Sequence, residues 1–296
     1  MLDVTRLRVL AAVARHGSVT AAARALRYAQ PSVSHHLARL EAETGSRLVQ
    51  RVGRGVRLTE AGRMLAERAE EILGRLDAAE ADLAAYTGLR AGRVRLAAFP
   101  SALGTFVPVA AAAFAIEHPD VELRFTEAEP PEAVRLLRAG EIDVAVLFSY
   151  LPAPSGEDDG LRRVRLSTEL IYLVTPAGLA GDRLAEYADQ RWISGCERCR
   201  THLVRCCAEA GFVPDIAFTT DDYVAVQSLV AAGLGVTTLP GLALAAHHDP
   251  RVRAVRLPGQ QRVVTAAVYG QPPDPPATAA LLTQLARAAA GFRPAG

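Results

Sequence analysis

Residues 18–45 have the sequence SVTAAARALRYAQPSVSHHLARLEAETG, and this stretch decides the fold of the amino-terminal end. Ser18 suits the N-cap of a helix over Val19–Leu26, and Pro31 suits the first turn of the next helix, where its missing N–H costs nothing. That next helix has one apolar stripe at helical spacing, formed by Val33, Leu37 and Leu40. Its opposite face is polar and presents Ser32, His35, His36 and Arg39.

An additional helix is predicted before this stretch, because Leu7, Leu10 and Val13 recur at helical spacing and Gly17 can end the helix. A short helix, a tight turn and a helix with a polar outer face form the arrangement that places the second helix of the pair in a major groove. The order therefore predicts a helix-turn-helix.

A small β-wing is predicted directly after these helices. Residues 47–58 have the sequence RLVQRVGRGVRL, in which arginines alternate with apolar residues around two glycines. This pattern is typical of a hairpin that carries positive side chains. Such a wing can lie along the DNA backbone or enter the minor groove.

The distribution of charge supports a nucleic-acid partner for this end of the chain. The whole sequence has a formal net charge of +1, and it contains no Lys. Residues 1–58 hold ten arginines and three carboxylates, so this segment carries +7 and the remaining 238 residues carry −6. A basic segment joined to an acidic remainder is expected where one end of a protein meets phosphate.

A long linker helix is predicted over residues 59–90, with Thr59 as its N-cap and Gly88 at its end. Apolar residues recur at steps of three and four, and the dimerisation positions are Leu65, Ile72, Leu76 and Leu83. Such a narrow stripe needs a partner, and a second copy of the chain is the simplest one. We therefore expect a homodimer that spaces two heads along a dyad-symmetric operator. The alternative is a helix folded back on its own carboxyl-terminal domain.

Residues 91–296 alternate between strand and helix patterns, as in doubly wound α/β lobes. The strand candidates are Val94–Phe99, Val121–Phe125, Ile142–Phe148, Ile171–Thr175, Trp192–Ser194, Ile216–Thr220, Val236–Leu239 and Val263–Tyr269. The helix candidates are Leu103–Glu117, Pro131–Ala139, Cys199–Ala210, Asp222–Ala232 and Ala277–Ala290. Two such lobes joined by crossing strands form a hinged cleft.

These patterns together resemble the LysR-type transcriptional regulators. Residues 7–62 match the family's winged helix-turn-helix at several fixed spacings, namely Gly17-Ser18, Ala21-Ala22, Leu26, Gln30-Pro31-Ser32-Val33-Ser34, Leu40-Glu41, Gly45, Leu48, Arg51 and Leu58-Thr59-Glu60-Ala61-Gly62. The chain departs from the family at Leu7 and Val49, where Phe is usual, and at Ala29, where Ser or Thr is common. The first two departures concern the core, and the third removes a hydroxyl that can contact phosphate.

The resemblance implies which residues of the helix and wing meet DNA. The expected DNA-binding residues are Gln30, Pro31, Ser32, Ser34, His35 and Arg39 on the helix, and Arg51 and Arg54 on the wing. Two of these residues have alternative, structural roles: Pro31 can simply start the helix, and Arg39 can pair with Glu43.

The resemblance extends over the rest of the chain, through Gly140–Ala145 and Val230–Val236. It implies an α/β fold with an N-terminal winged helix-turn-helix (1–58), a linker helix (59–90) and a two-lobed, periplasmic-binding-protein-like effector domain (91–296). Ligands of open α/β sheets lie beyond the carboxyl ends of the strands. The candidate effector-binding residues at those ends are Pro100, Ser101, Glu129, Phe148, Ser194 and Thr238. We favour Ser101, which precedes a helix and can hold an anion there, with helix capping as its alternative role.

Four cysteines fall within twelve residues, at positions 196, 199, 206 and 207. Cys199, His202 and Cys206 share one helical face with Cys196 just upstream, a set that can ligate zinc or a softer metal. Cys196 or Cys199 near a helix start and beside arginines can instead sense oxidants as a thiolate. A single CxxC without a second pair favours a structural role as small core residues.

The predicted function is sequence-specific transcription regulation with a small-molecule effector, and the alternative is a regulator that responds to thiol oxidation or metal through residues 196–207. No P-loop, nucleophile elbow or HExxH motif is present, so we expect no enzyme activity and no cofactor. The expected partners are double-stranded DNA, the effector, further copies in a dimer or tetramer, and RNA polymerase. The early arginines exclude a secretory signal and favour the cytoplasm without membrane contact. A solute-binding protein of a transport system and an architectural DNA-binding protein are the competing functions.

Overall fold

The computed structural model describes residues 2–52, 55–86, 92–151, 160–270 and 272–292. The chain divides into two compact units, Met1–Arg90 with Arg138–Glu141, and Ala91–Leu137 with Ile142–Gly296. Each unit has a hydrophobic core of its own. Within the described residues, no helix is both long enough and apolar enough to cross a membrane.

The first unit begins with three helices that share one core. They are α1 (Val4–His16), α2 (Val19–Leu26) and α3 (Gln30–Thr44). The Ser18 hydroxyl accepts the Ala21 N–H at 3.0 Å, and Gly17 ends α1 in the left-handed conformation with φ of 67°. The predicted helix-turn-helix is therefore confirmed, and its apolar stripe is buried in the core through Val33, Leu37 and Leu40.

A hairpin and a long helix complete the first unit. β1 (Val49–Val52) pairs antiparallel with β2 (Gly55–Leu58), and α4 covers Glu60–Tyr86. The Glu41 carboxylate ties the hairpin to α3, because one of its oxygens accepts the backbone N–H groups of Leu48 at 2.8 Å and Val49 at 3.1 Å. Hydrogen bonds to an ionised acceptor are stronger than neutral ones, so Glu41 fixes the position of the wing.

Thr59 closes the junction between the hairpin and α4. Its hydroxyl donates to the Arg47 carbonyl at 2.7 Å and accepts the Gly62 N–H at 3.0 Å, so it caps α4 as predicted. The backbone at Gly62 is packed directly against Leu48, and a Cβ added to Gly62 would lie 1.9 Å from the Leu48 carbonyl oxygen. Any residue with a Cβ would clash here, so the close approach requires glycine at position 62.

The second unit is built on one continuous sheet. Its described strands are β3 (Arg93–Ala98), β4 (Glu122–Glu127), β5 (Val144–Tyr150), β6 (Leu161–Pro176), β7 (Arg191–Ser194), β8 (Asp215–Thr219), β9 (Val236–Pro240) and β10 (Val252–Tyr269). They lie in the order β4-β3-β5-β10-β6-β9-β7-β8. The group β3, β4 and β5 is parallel, as is the group β7, β8 and β9, whereas β6 and β10 are antiparallel to their neighbours. Two parallel lobes are thus joined by two crossing strands.

Helices cover both parallel groups. The described helices of the second unit are α5 (Pro100–Leu103), α6 (Phe106–Glu117), α7 (Pro130–Arg138), α8 (Glu197–Glu209), α9 (Tyr223–Ala231), α10 (Gly241–Ala246) and α11 (Pro276–Gly291). A short 3-10 helix lies at Leu184–Tyr187. Cores form on the sheet around Phe114 and Leu281 in one lobe and around Trp192 and Leu203 in the other.

The crossing strands are longer than the sequence patterns predicted. β6 begins at Leu161 rather than Ile171, and β10 begins at Val252 rather than Val263. The Pro258-Gly259 pair in β10 is an ordinary turn signal, but the strand continues through it with a shift in its register against β6. Long-range pairing with a neighbouring strand therefore overrides the local pattern.

Candidate functional site

The solvent-facing side of α3 carries the helix residues expected to contact DNA. The exposed side chains are Gln30, Pro31, Ser32, Ser34, His35 and Arg39. Side chains three and four residues apart share one helix face. Ser34 lies four residues after Gln30 and His35 four residues after Pro31, so both lie next to the first turn of the helix. Ala29 precedes α3 and offers its first turn no side-chain hydrogen bond. A phosphate oxygen can meet such N–H groups at a helix start.

The wing residues are only partly described. Arg54 lies outside the described residues, and for Arg51 the structure describes the backbone in β1 but not the side chain. Arg57 in β2 is exposed, as is Gln50 on the paired strand. The wing therefore presents at least one arginine to solvent.

The expected dimerisation positions on α4 fall into two groups. Leu65 packs against the core of the first unit, beside the fully buried Ala69. Ile72, Leu76 and Leu83 are instead exposed, by 43%, 39% and 65%. The first position of the predicted stripe thus packs within its own unit, and the other three positions are exposed to solvent.

A cleft opens at the carboxyl ends of the strands in the second unit. It encloses about 500 Å³ of empty space, part of which is open to solvent. Its lining includes the predicted residues Pro100, Ser101, Glu129, Phe148 and Thr238. Ser194 does not line it, because this residue is buried with its hydroxyl 2.9 Å from that of Thr219, and Gly195 lines the cleft instead.

One wall of the cleft is built around a buried ion pair. Arg262 in β10 places Nε 2.5 Å from Oε1 of Glu169 in β6, with 2% and 3% of the two side chains exposed. The other Glu169 oxygen accepts the Leu242 N–H at 2.8 Å. Arg262 also donates to the Ser101 hydroxyl at 3.1 Å and lies 4.1 Å from the centre of the Phe148 ring. A fixed positive charge therefore lies beside Ser101.

Another part of the cleft lining is acidic. Glu129 follows β4, Cys196 caps α8 and Asp221 follows β8. Their carboxylate oxygens and the Cys196 sulfur all lie within 4.8 Å of one another. Burial raises the pKa of Glu129, although the Cys196 hydrogen bond lowers it, and burial also raises the pKa of Asp221. The Glu129 Oε2 atom is buried and has no hydrogen-bond partner among the described residues.

Cys196 and Cys199 form a close thiol pair, with 3.0 Å between their Sγ atoms. The hydrogen bond from Cys196 lowers the pKa of Cys199, and the same contact raises the pKa of Cys196. The Tyr150 hydroxyl lies 3.5 Å from the Cys199 sulfur. Cys199 is therefore the member of the pair that more readily becomes a thiolate.

The other two metal candidates are held away from this pair. His202 stacks on the Tyr150 ring at 3.8 Å, and its Nε2 lies 3.1 Å from the Gln260 side-chain oxygen. Burial lowers the pKa of His202 to about 4, so the ring is neutral at pH 7. Burial raises the pKa of Cys206 to about 11 and of Cys207 to about 12, so both thiols stay protonated in the core. In the described part of the chain, the one group of metal-ligating atoms within 4.8 Å is Glu129, Cys196 and Asp221, so the predicted four-residue set is not brought together.

Sequence reasoning missed two residues of the cleft lining, Arg262 and Asp221, and also Glu169, the buried partner of Arg262. Arg262 and Glu169 meet because β10 and β6 pair with these two residues opposite each other. In the sequence, each of these two residues is a charged residue beside the apolar part of a strand. This signal does not identify the residue with which it pairs. Asp221 follows a strand in the same way as Glu129 does, so the rule that selected Glu129 could have selected it as well.

Comparison with protein families matches both units. Residues 4–63 match the model described as "Bacterial regulatory helix-turn-helix protein, lysR family". Residues 87–290 match the model described as "LysR substrate binding domain". The second match alone covers more than half of the chain.

Individual relatives agree with these matches. The "Probable HTH-type transcriptional regulator LrrA" of Synechococcus elongatus is 29% identical, and the alignment covers 100% of both chains. The "Probable hydrogen peroxide-inducible genes activator" of Mycobacterium avium is 34% identical over 80% of this chain and 77% of its own.

A solved structure extends the likeness to the whole fold. CbnR, a LysR family transcriptional regulator, superimposes with a TM-score of 0.66 at 25% identity over 97% of this chain and 99% of its own. Full-length CbnR complexed with its target DNA gives a TM-score of 0.66 at 24% identity over 97% and 100%. The chain therefore belongs to the LysR family of DNA-binding transcription regulators, with a helix-turn-helix followed by an effector-binding domain.

Proposed function

We propose that this protein is a homodimeric regulator, not an enzyme, in which α3 reads a dyad-symmetric operator and the cleft binds a small-molecule effector. The observation that carries the proposal is the division of α3 into a buried apolar stripe and an exposed face with six polar or helix-starting residues. A helix presented in this way fits the major groove, where base edges differ in their donors and acceptors. The solved structure of full-length CbnR complexed with its target DNA supports DNA as a partner of this protein as well.

Pairing of two α4 helices is the proposed basis of the dimer. Ile72, Leu76 and Leu83 are exposed apolar side chains at heptad-like steps, and a second α4 can cover them. Because Leu65 packs in the core of its own unit, the proposed contact begins at Ile72. Assembly into tetramers and contact with RNA polymerase follow the family resemblance.

The cleft suits a small polar effector with an apolar part. Arg262 and Ser101 offer polar groups, Glu129 and Asp221 offer carboxylates, and the Phe148 ring offers an apolar surface. In this proposal, effector binding changes the relative placement of the two lobes and so alters the spacing of the DNA-binding heads. The effector must bind the two arrangements unequally for this to work.

The reading surface is tested by the double variant Ser34→Ala/His35→Ala. We expect the preference for operator over random duplex to fall by roughly 1–3 kcal/mol for each base-edge hydrogen bond that the substitutions remove, measured by fluorescence anisotropy at fixed salt. The matched control is Ser228→Ala/His248→Ala, which removes the same side-chain types from exposed positions of the second unit. An unchanged preference in the α3 variant would contradict the assignment.

Thiol oxidation is a second candidate signal, favoured by the 3.0 Å between the Cys196 and Cys199 sulfurs. A peroxide would transfer one oxygen to the Cys199 thiolate and release hydroxide. The Cys196 thiol would then attack the resulting sulfenic acid, forming the disulfide and releasing water. The Mycobacterium avium relative carries the name of a hydrogen peroxide-inducible genes activator, which supports this candidate.

Thiol counting tests this candidate directly. All four cysteines are free in the structure. We expect peroxide treatment to leave two titratable thiols, with Cys196 and Cys199 joined in the peptide map, and we expect Cys199→Ser to form no disulfide at this position. Four thiols after treatment, or a disulfide between other cysteines, would exclude it.

A further inference from the structure

We propose that Glu129, Cys196 and Asp221 form a binding site for a divalent cation with the preferences of Zn²⁺. The inference rests on the proposed function in one respect, since the site lies in the same cleft as the effector. The sequence pattern instead suggested a metal site formed by Cys196, Cys199, His202 and Cys206.

The topology brings the three residues together from separate elements. Glu129 follows β4 in one lobe, whereas Cys196 and Asp221 follow β7 and β8 in the other. Their ligand atoms lie within 4.8 Å of one another. Zinc with bonds of about 2.3 Å to sulfur and about 2.0–2.2 Å to oxygen would hold tetrahedral ligand atoms roughly 3.3–3.8 Å apart. Small side-chain rotations therefore suffice to close the site.

One oxygen of the Glu129 carboxylate lacks a partner, and a cation would supply one. Its Oε2 atom is buried without a hydrogen bond in the described structure, and a buried polar atom in that state is costly. The nearby Arg262 guanidinium bonds Glu169 and Ser101 instead. Asp221 is exposed, so ions in solution can reach the group.

The set of donors selects the class of metal. Zn²⁺ accepts thiolate and carboxylate ligands together, whereas Mg²⁺ and Ca²⁺ prefer oxygen alone and Cu(I) prefers sulfur. Three protein ligands leave a fourth position open, as in zinc sites that exchange a bound molecule. An effector with an oxygen or nitrogen donor can occupy that position, so the cation would link both lobes to the effector.

Zinc binding by the full-length, reduced chain tests the site. We expect one Zn²⁺ per chain in competition with a chromophoric chelator, and a thiolate-to-metal absorption band with Co²⁺ as the probe. Cys196→Ser should abolish the band. Glu129→Gln/Asp221→Asn should weaken Zn²⁺ binding by at least about tenfold, since even outer-shell partners of metal ligands are worth about 10–100-fold.

Two control variants separate this site from other thiol sites. Cys206→Ala removes a buried thiol of α8, the helix that Cys196 caps, and should leave the affinity for Zn²⁺ unchanged. Cys199→Ser should retain Zn²⁺ binding if the carboxylates complete the site. The proposal is overturned if the wild type binds Zn²⁺ no better than Cys196→Ser does, or if Cys199→Ser loses binding while Glu129→Gln/Asp221→Asn keeps it.

The outcome is separable from that of the proposed function. Operator binding by α3 is measured without added metal, and its test uses Ser34 and His35 in the other unit. A chain that recognises its operator but binds no Zn²⁺ would overturn the cation site alone. A chain that binds Zn²⁺ without operator preference would overturn the DNA-reading surface alone.

Discussion

Replacing Glu169 with Gln is expected to lower the free energy of unfolding of the second unit by about 3–5 kcal/mol, because it leaves a buried arginine without its counter-charge. Arg262 stays protonated at every pH at which proteins fold. Its Nε hydrogen bond to Glu169 is 2.5 Å long and almost completely buried, so solvent cannot replace the missing carboxylate. Urea unfolding followed by circular dichroism measures the loss.

Two further variants show whether the loss arises from burial of the charge. Glu132→Gln removes the carboxylate of an exposed pair with Arg135, and exposed pairs contribute only about 0–1 kcal/mol. Arg262→Met/Glu169→Leu replaces the whole buried pair with apolar side chains and should recover most of the stability, since such replacements are often neutral. Equal losses in Glu169→Gln and Glu132→Gln would contradict the account.

Replacing Gly62 with Ala is expected to destabilise the first unit by about 3 kcal/mol, at the upper end of the usual cost of overpacking. The new Cβ would lie 1.9 Å from the Leu48 carbonyl oxygen, which is a backbone atom and cannot rotate away. The hairpin and α4 must move apart, which disturbs the Thr59 hydrogen bonds at their junction. We expect a lower midpoint of thermal unfolding and weaker operator binding.

A matched glycine isolates the effect of the clash. Gly178→Ala adds the same methyl group where nothing lies within 4 Å and the backbone is not left-handed. Its unfolding midpoint should match that of the wild type or exceed it slightly, because alanine restricts the unfolded chain. If Gly62→Ala behaves like Gly178→Ala, the close packing of α4 on the Leu48 segment is contradicted.

The first unit was predictable from sequence because its signals are local. Ser18 as a cap, Gly17 as a helix end and the stripe from Val33 to Leu40 each act within about four residues, and all three are found in the structure. The wing followed from alternating residues around glycine. Glu41 was not predicted to hold the wing, since its hydrogen bonds to Leu48 and Val49 depend on the path of the intervening turn.

The cleft was predictable only where a rule about strand ends applies. Ser101 and Glu129 were selected because they follow strands, and both line the cleft. Arg262 lies within a strand and meets Glu169 through a strand pairing that no local pattern reveals. The helical spacing of Cys199, His202 and Cys206 was read correctly, but the stacking of His202 on Tyr150 and the burial of Cys206 keep them from forming one ligand set.

We predict that α3 reads base edges in the major groove in each half of a paired molecule. Methylation interference at guanine N7, on duplexes selected from a random pool by the purified chain, measures this most directly. We expect two interference patches related by a dyad and separated by one helical turn or a multiple of it, both absent in Ser34→Ala/His35→Ala. Salt-sensitive binding without any patch, or a single patch without symmetry, would contradict it.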